Sequence, residues 1–166
     1  EAKNIFNNNY DKISILTHPK SYIHAIIKFN NGLTKVLVHE PDMKIPIHNS
    51  IYLNKKKNFK TRSLDLNILN NLQLKNVNIQ KFSLVKLLKS LPNESSLFET
   101  VLITLNDYFV FKFLEKKINF KKLITLIDKT SKLREFQKFK RIKPKNIDDI
   151  YRVRDYVSFK MDSFSI

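Results

Sequence analysis

Residues 17–47 read THPKSYIHAIIKFNNGLTKVLVHEPDMKIPI, and this stretch decides the fold class of the chain. Two runs rich in β-branched residues, 22–29 and 33–40, flank the dipeptide Asn31-Gly32. Asn-Gly between two apolar runs is the strongest short-range signal of a β-hairpin with a two-residue loop. The sequence therefore predicts two antiparallel strands joined at this dipeptide.

The register of such a hairpin follows from the length of its loop. If Asn30 pairs with Leu33, then His24 lies opposite His39. The other face of the hairpin carries only apolar side chains, so we expect that face to be buried. Its members are Ile23, Ala25, Ile27, Phe29, Val36 and Val38.

Downstream of the hairpin, apolar residues recur at helical spacing. A helix is expected to start near Met43, with Pro46 tolerated in its first turn, and to end near Leu53. The basic loop that follows predicts a boundary between two domains, residues 1–54 and residues 55–166. Together these patterns predict an α+β fold, in which a small β-sheet with an Asn-Gly hairpin precedes an α-helical bundle. The further helices are predicted at residues 82–91, 95–116, 120–127, where Asn119 precedes the helix, and from 146 onward, where Asn146 is expected to be the cap.

The predicted helix at residues 95–116 is apolar almost all round, which is typical of the buried centre of a bundle. Three charged residues, Glu99, Asp107 and Lys112, interrupt it. A charge near the centre of a bilayer costs about 2.5 to 3.5 kcal/mol on insertion scales. We therefore expect a water-soluble core helix rather than a membrane span, with its cap near Asn93.

The chain is strongly basic, with 31 lysines and arginines against 15 acidic residues and a formal net charge of +16. Such a balance suggests a nucleic acid or an anionic membrane as partner. However, the lysines occur in short runs spread along the chain, with few aromatic residues between them, and the bias toward Asn, Lys, Ile and Phe is that of an AT-rich genome. We therefore expect neither a nucleic acid nor a membrane partner. The absence of cysteine favours a reducing, cytoplasmic location.

The residues alone do not complete an active site. His24 and His39 could ligate a metal as a cross-strand pair, but a catalytic zinc ion generally needs three protein ligands. His18, which precedes a proline, is more typical of a structural hydrogen-bonding residue. Asp42 has an acidic neighbour only at Glu40, and one glycine in the whole chain excludes a glycine-rich phosphate loop.

Several short motifs, taken in order, resemble the 1-deoxy-D-xylulose 5-phosphate reductoisomerase family. The closest resemblance is to that family's block HPQS-x-IH, DG and PDM-x-x-PI, which here reads HPKSYIH, NG and PDMKIPI. The chain departs from the family at its W-P, which is replaced by Tyr52-Leu53-Asn54, and at Ser83 in place of a proline. The remaining matches are Glu1-Ala2 to the end of EYIEA, residues 63–66 to PLDL, residues 82–87 to FPCLKLA, and Asn106-Asp107 to the NE of NAANE.

The resemblance implies the C-terminal portion of an enzyme that uses NADPH and Mn²⁺ or Mg²⁺. That enzyme converts 1-deoxy-D-xylulose 5-phosphate into 2-C-methyl-D-erythritol 4-phosphate in non-mevalonate isoprenoid synthesis. It also implies a homodimer formed through the sheet, and metal ligands and a cofactor domain that lie upstream of residue 1. We therefore expect no catalytic residue, metal or cofactor site within this chain.

Within the chain, three residues are expected to lie near the substrate or the cofactor. The resemblance places His24 beside the site as a residue that orients others, Ser21 next to it, and Met43 near the nicotinamide pocket. The alternative for Ser21 is a hydrogen bond at the strand end, and the alternative for Met43 is packing. The alternative function is a stand-alone basic module that binds nucleic acid.

Overall fold

The computed structural model describes residues 2–52 and 59–164. Contacts divide the chain into two compact units. We call Glu1–Ser14 together with Asn78–Ile166 the helical unit, and Ile15–Val77 the hairpin unit. The predicted boundary between residues 54 and 55 lies outside the described residues, so this division into domains stays a prediction.

The described elements confirm the predicted α+β class, with a small β part and a helical bundle. No helix of the described residues is long and apolar enough to cross a membrane. The strands are β1 (Leu16–Thr17), β2 (Ile23–Lys28), β3 (Thr34–Val38) and β4 (Lys75–Asn76). The helices are α1 (Ala2–Ile5), α2 (Lys44–Ile51), α3 (Leu66–Asn70), α4 (Leu84–Lys89), α5 (Leu97–Leu114), α6 (Phe120–Ser131), α7 (Arg134–Gln137) and α8 (Ile147–Ser163), with 3-10 turns at Tyr10–Lys12 and Lys138–Arg141.

The helical unit is built around α5, against which α6 and α8 pack. The inward side chains of α5 are fully buried, with exposed fractions of 0 to 1% at Phe98, Val101, Leu105 and Phe109. Residues Val153, Val157 and Met161 form the matching stripe of α8. The prediction of a central, largely apolar helix at residues 95–116 is therefore confirmed, although four of its apolar residues face solvent: Ile103, Phe111, Phe113 and Leu114.

Two of the three asparagines expected near helix starts do cap helices. Asn119 accepts a hydrogen bond from the backbone N–H of Lys122 at 2.8 Å, and Asn146 accepts one from Asp149 at 3.0 Å. The expectation at Asn93 is wrong, because Ser96 occupies the N-cap position of α5. The side chain of Asn93 instead accepts the backbone N–H of Tyr10 at 2.9 Å, which holds the N-terminal segment on the helical unit.

The hairpin unit contains two separate two-stranded sheets, β2 with β3 and β1 with β4. The two-residue Asn-Gly loop is not observed. Instead, the Phe29 N–H donates to the Leu33 carbonyl at 2.8 Å, so three residues form the loop and Gly32 adopts a left-handed φ of 87°. Glycine suits that conformation because it has no Cβ to clash. The register consequently shifts by one residue, with Lys28 opposite Thr34.

The apolar face that we expected to be buried does not form, and three of its six expected members are exposed. In the observed register Val36 lies opposite Ile26 rather than Ile27, so Val36 and Ile27 are on different faces of the hairpin. Ile27, Phe29 and Val36 retain 49, 42 and 48% of their accessible surface. No helix of the described part of the chain packs extensively on β2 and β3, and two strands alone offer no second layer to bury against. Alternation of apolar residues identified the strands, but it did not show that this chain covers them.

Candidate functional site

The candidate site lies in the hairpin unit, where residues 18–24 meet residues 39–43. The chain enters β2 through a turn in which the Ser21 N–H donates to the carbonyl of His18 at 3.1 Å. Ser21 has a left-handed φ of 54°, which is uncommon for a residue other than glycine. His18 supports the same turn, because its Nδ1 accepts the backbone N–H of Tyr22 at 3.3 Å. The structural role predicted for His18 is confirmed.

A β-bulge places His24 at the edge of this turn. Ile23 pairs with Val38 and Ala25 pairs with Leu37, so His24 is the extra residue of β2. The predicted register is wrong by one residue, but the bulge compensates for this shift and places His24 beside His39, as predicted. The two imidazole rings stack with their centroids 3.6 Å apart and their planes within 10°.

The hydrogen bonds of the two histidines define their neutral tautomers. His24 Nε2 donates to the carbonyl of His39 at 3.2 Å, so its Nδ1 is the acceptor of the ring. His39 Nδ1 donates to the carbonyl of Glu40, so its Nε2 is the acceptor. Parallel stacking keeps the two acceptor lone pairs in separate planes, so the pair is poorly arranged to chelate one ion. Among the described residues, no group of three or more His, Cys, Asp or Glu side chains is placed to hold a metal.

Tyr22 and Glu40 form a second contact that the sequence analysis did not find. Tyr22 is the single buried large side chain among the described residues of the hairpin unit, with 6% exposed. Its hydroxyl donates to Glu40 Oε1 at 2.7 Å, and this hydrogen bond to a carboxylate raises the pKa of Tyr22. The signal in the sequence was a tyrosine at the start of β2 and a glutamate just past the end of β3, which an antiparallel pairing brings together.

Met43 lies at the start of α2, with 70% of its surface exposed. Helix α2 begins as predicted, and Pro46 falls in its first turn, where no intrahelical N–H is required. Asp42 stabilises the first turn of α2, since its Oδ1 accepts the Lys44 N–H at 2.9 Å. No described hydrogen bond joins Met43 to Ser21 or His24, so the structure brings His24 and His39 together but leaves Met43 as a separate exposed side chain.

Comparison with known proteins assigns most of the chain to one family. Residues 38–157 match the family model of the DXP reductoisomerase C-terminal domain. A 1-deoxy-D-xylulose 5-phosphate reductoisomerase of Pelagibacter ubique is 51% identical over all 166 residues, and one from a Sulfurihydrogenibium species is 31% identical over 155 residues. This chain spans 43% and 40% of those two proteins, which is less than half of each.

Solved structures support the same fold. A reductoisomerase from Zymomonas mobilis in complex with NADPH matches 98% of this chain with a TM-score of 0.76 and 23% identity. A reductoisomerase in complex with NADPH, fosmidomycin and magnesium matches 98% with a TM-score of 0.85 and 20% identity. The chain covers 42% and 41% of those two structures. None of these comparisons supports the alternative of a stand-alone nucleic-acid-binding module.

Proposed function

Because this chain belongs to the 1-deoxy-D-xylulose 5-phosphate reductoisomerase family, we propose that it acts as the C-terminal portion of such an enzyme. The enzyme would convert 1-deoxy-D-xylulose 5-phosphate into 2-C-methyl-D-erythritol 4-phosphate in the cytoplasm, with NADPH as the reductant. The observation that carries this proposal is 51% identity to the Pelagibacter ubique enzyme along the whole chain. The proposed substrate is the one in the name of that relative, and related structures contain NADPH and magnesium.

The described residues do not supply the donors that the metal needs. A divalent ion such as Mg²⁺ is held by carboxylate oxygens, and the described part of the chain gathers no such cluster. We therefore assign this chain no step that involves the metal. Its proposed contribution is to shape one wall of the substrate and cofactor pocket with β2, β3 and the start of α2.

Three residues of that wall are proposed to lie near the substrate or the cofactor. His24 is exposed, and its free Nδ1 is suited to accept a hydrogen bond from a neighbouring donor. Ser21 is held in a strained turn directly before β2, and strained backbone clusters at functional sites. Met43 projects a flexible, apolar side chain that is suited to pack against a planar ring.

A homodimer formed through the hairpin is part of the same proposal. Its support is the apolar surface that the hairpin exposes at Ile27, Leu33 and Leu37, which the observed register places on one face. Contiguous apolar surface of this kind marks interaction sites. Sedimentation equilibrium of the chain at rising concentration would measure the association, and Leu37→Glu should weaken it.

The test of the function is a chimaeric enzyme. The part of the Pelagibacter ubique protein that precedes the matched region is joined to this chain, and NADPH oxidation dependent on the sugar phosphate is measured. We expect turnover by the chimaera and none by the 166-residue chain alone, even with NADPH and manganese. A folded chimaera that binds NADPH but does not turn over substrate would contradict the proposal.

The same chimaera tests the site residues. His24→Ala and Met43→Ala should each lower kcat/KM about tenfold, the effect of losing about 1.4 kcal/mol of transition-state binding. Matched controls are His48→Gln and Ile51→Ala, which change a histidine and an exposed apolar residue of α2 itself. Equal activity of the site variants and the controls would remove His24 and Met43 from the site.

A further inference from the structure

The turn between α5 and α6 gathers exposed apolar side chains on one part of the helical unit. We call residues 111–122, which read FKFLEKKINFKK, the α5–α6 corner. Phe111, Leu114 and Phe120 retain 65, 65 and 64% of their accessible surface. Removing such exposed, large apolar side chains from water lowers the free energy of the system.

These apolar side chains form one connected surface rather than isolated points. Phe111 and Leu114 are three residues apart on α5 and therefore share a face of that helix. The ring of Phe113 contacts the ring of Phe120 across the turn, with centroids 6.1 Å apart. Phe113 and Leu114 also line one open depression of about 430 Å³.

Lysines surround this apolar surface. The corner contains five lysines and one glutamate, and the four lysines Lys116, Lys117, Lys121 and Lys122 are all exposed. The glutamate, Glu115, is paired with Lys117 at 2.8 Å, so it leaves a clear excess of positive charge. The first turn of α6 has no acidic residue to offset that charge. The α5–α6 corner thus presents its apolar side chains and its lysines on a single surface.

We propose, against the expectation from the sequence that the chain has no membrane partner, that the α5–α6 corner is a peripheral docking site for an anionic phospholipid surface. Leu114 and Phe120 would enter the headgroup layer, while the lysines would contact lipid phosphates. Basic, aromatic and aliphatic side chains in this combination bind at membrane interfaces through apolar burial and charge attraction. Lysine suits this arrangement because its apolar stem lies along the interface and its ammonium group reaches the phosphates.

The composition of the corner favours lipid over nucleic acid. The corner has no arginine, the residue that most often recognises bases and phosphates in pairs of hydrogen bonds. Its most exposed residues include Leu114, an aliphatic side chain that cannot stack on a base but can be buried among acyl chains. The proposal is independent of catalysis, because vesicle binding requires no enzymatic activity.

The test is flotation of the full 166-residue chain with vesicles of phosphatidylcholine alone or mixed with phosphatidylglycerol. We expect a bound fraction at least about fivefold larger with the anionic vesicles, and a loss of that difference at high salt. Leu114→Ser combined with Phe120→Ser should lower binding about tenfold. Changing Lys116, Lys121 and Lys122 together to glutamine should remove the preference for anionic lipid.

Matched controls separate the corner from the rest of the basic, apolar surface. Phe159→Ser removes another strongly exposed aromatic residue, and Lys86→Gln with Lys89→Gln removes two lysines of α4. Leu66→Ser tests whether exposed apolar residues of the hairpin unit bind the vesicles instead. None of the three should change binding, and circular dichroism with thermal melting shows which variants fold.

Three results would overturn the proposal. The first is equal binding to neutral and anionic vesicles, or no binding to either. The second is unchanged vesicle binding by corner variants that melt at the same temperature as the unaltered chain. The third is an active chimaera that no longer binds vesicles, since this would assign the corner to a contact within the enzyme. Displacement of the vesicles by a DNA duplex would likewise contradict the proposal, since it would assign the corner to nucleic acid.

Discussion

The helical unit and the hairpin unit differ in how much of their apolar surface this chain buries. In the helical unit, α5, α6 and α8 enclose a core in which Phe98, Val101 and Leu105 are fully buried. In the described residues of the hairpin unit, Tyr22 is the single buried large side chain. The comparison shows that one unit is stabilised chiefly by its own packing, whereas the apolar strands of the other are available for contacts.

The largest expected effect is in the helical core. Phe98→Ala removes a fully buried ring and should lower the free energy of unfolding of the helical unit by about 3 to 5 kcal/mol. Urea unfolding followed by circular dichroism measures this change. Phe29→Ala, at a ring 42% exposed in the hairpin, is the matched control and should cost far less. Similar losses for the two variants would contradict the difference between the units.

A smaller effect is expected at the part-buried contact between Tyr22 and Glu40 in the hairpin unit. Tyr22→Phe removes the hydroxyl that donates to Glu40 and leaves the carboxylate without that donor, so the hairpin should open more often. Amide hydrogen exchange in β2 and β3 should accelerate, while exchange in α5 stays unchanged. Tyr151→Phe, at an exposed tyrosine of α8, is the control. Faster exchange in both units would show that they unfold together.

The smallest expected effect concerns pH. Burial and the negative charge of Glu99, to which the Tyr10 hydroxyl donates at 3.4 Å, raise the pKa of Tyr10. Because the pKa of Tyr10 is higher in the folded state than in the unfolded state, Tyr10 contributes its full stability below the ordinary pKa of 10.0. That contribution is lost as the pH rises through the pKa of the folded state. The stability of the helical unit should therefore fall at alkaline pH.

Thermal melting of the unaltered chain and of Tyr10→Phe, followed between neutral pH and about pH 11, measures this effect. The difference in melting temperature between the two proteins should shrink or reverse at the alkaline end. Tyr151→Phe again provides the control on the surface of the same unit. An identical pH dependence of Tyr10→Phe and the unaltered chain would rule out a contribution from Tyr10.

Local patterns predicted many of the elements because their causes are local. Asn119 and Asn146 cap helices where the sequence places them, since an asparagine side chain reaches the N–H groups three residues ahead. Pro46 marks the first turn of α2 for a similarly local reason. Asn93 shows where local prediction fails. Its side chain accepts the backbone N–H of Tyr10, which is distant in sequence, and therefore does not cap α5.

The candidate site was predicted less completely than the fold. The block containing Ser21, His24 and Met43 was found through its resemblance to the family, and the roles of these residues stay predictions. The stacked histidines were expected as a cross-strand pair, but the three-residue loop and the bulge that together produce the stack were not. The contact between Tyr22 and Glu40 was missed because it depends on the register of the whole hairpin.

By itself, the sequence determined the α+β class, the order of the hairpin and the longer helices, and the family to which the chain belongs. These follow from periodicity, caps and short motifs, which act over a few residues. Only the tertiary structure decided the register of the hairpin, the exposure of its strands and the exposure of Phe111, Leu114 and Phe120. Such features depend on which surfaces meet, and that is set by packing between residues far apart in the chain.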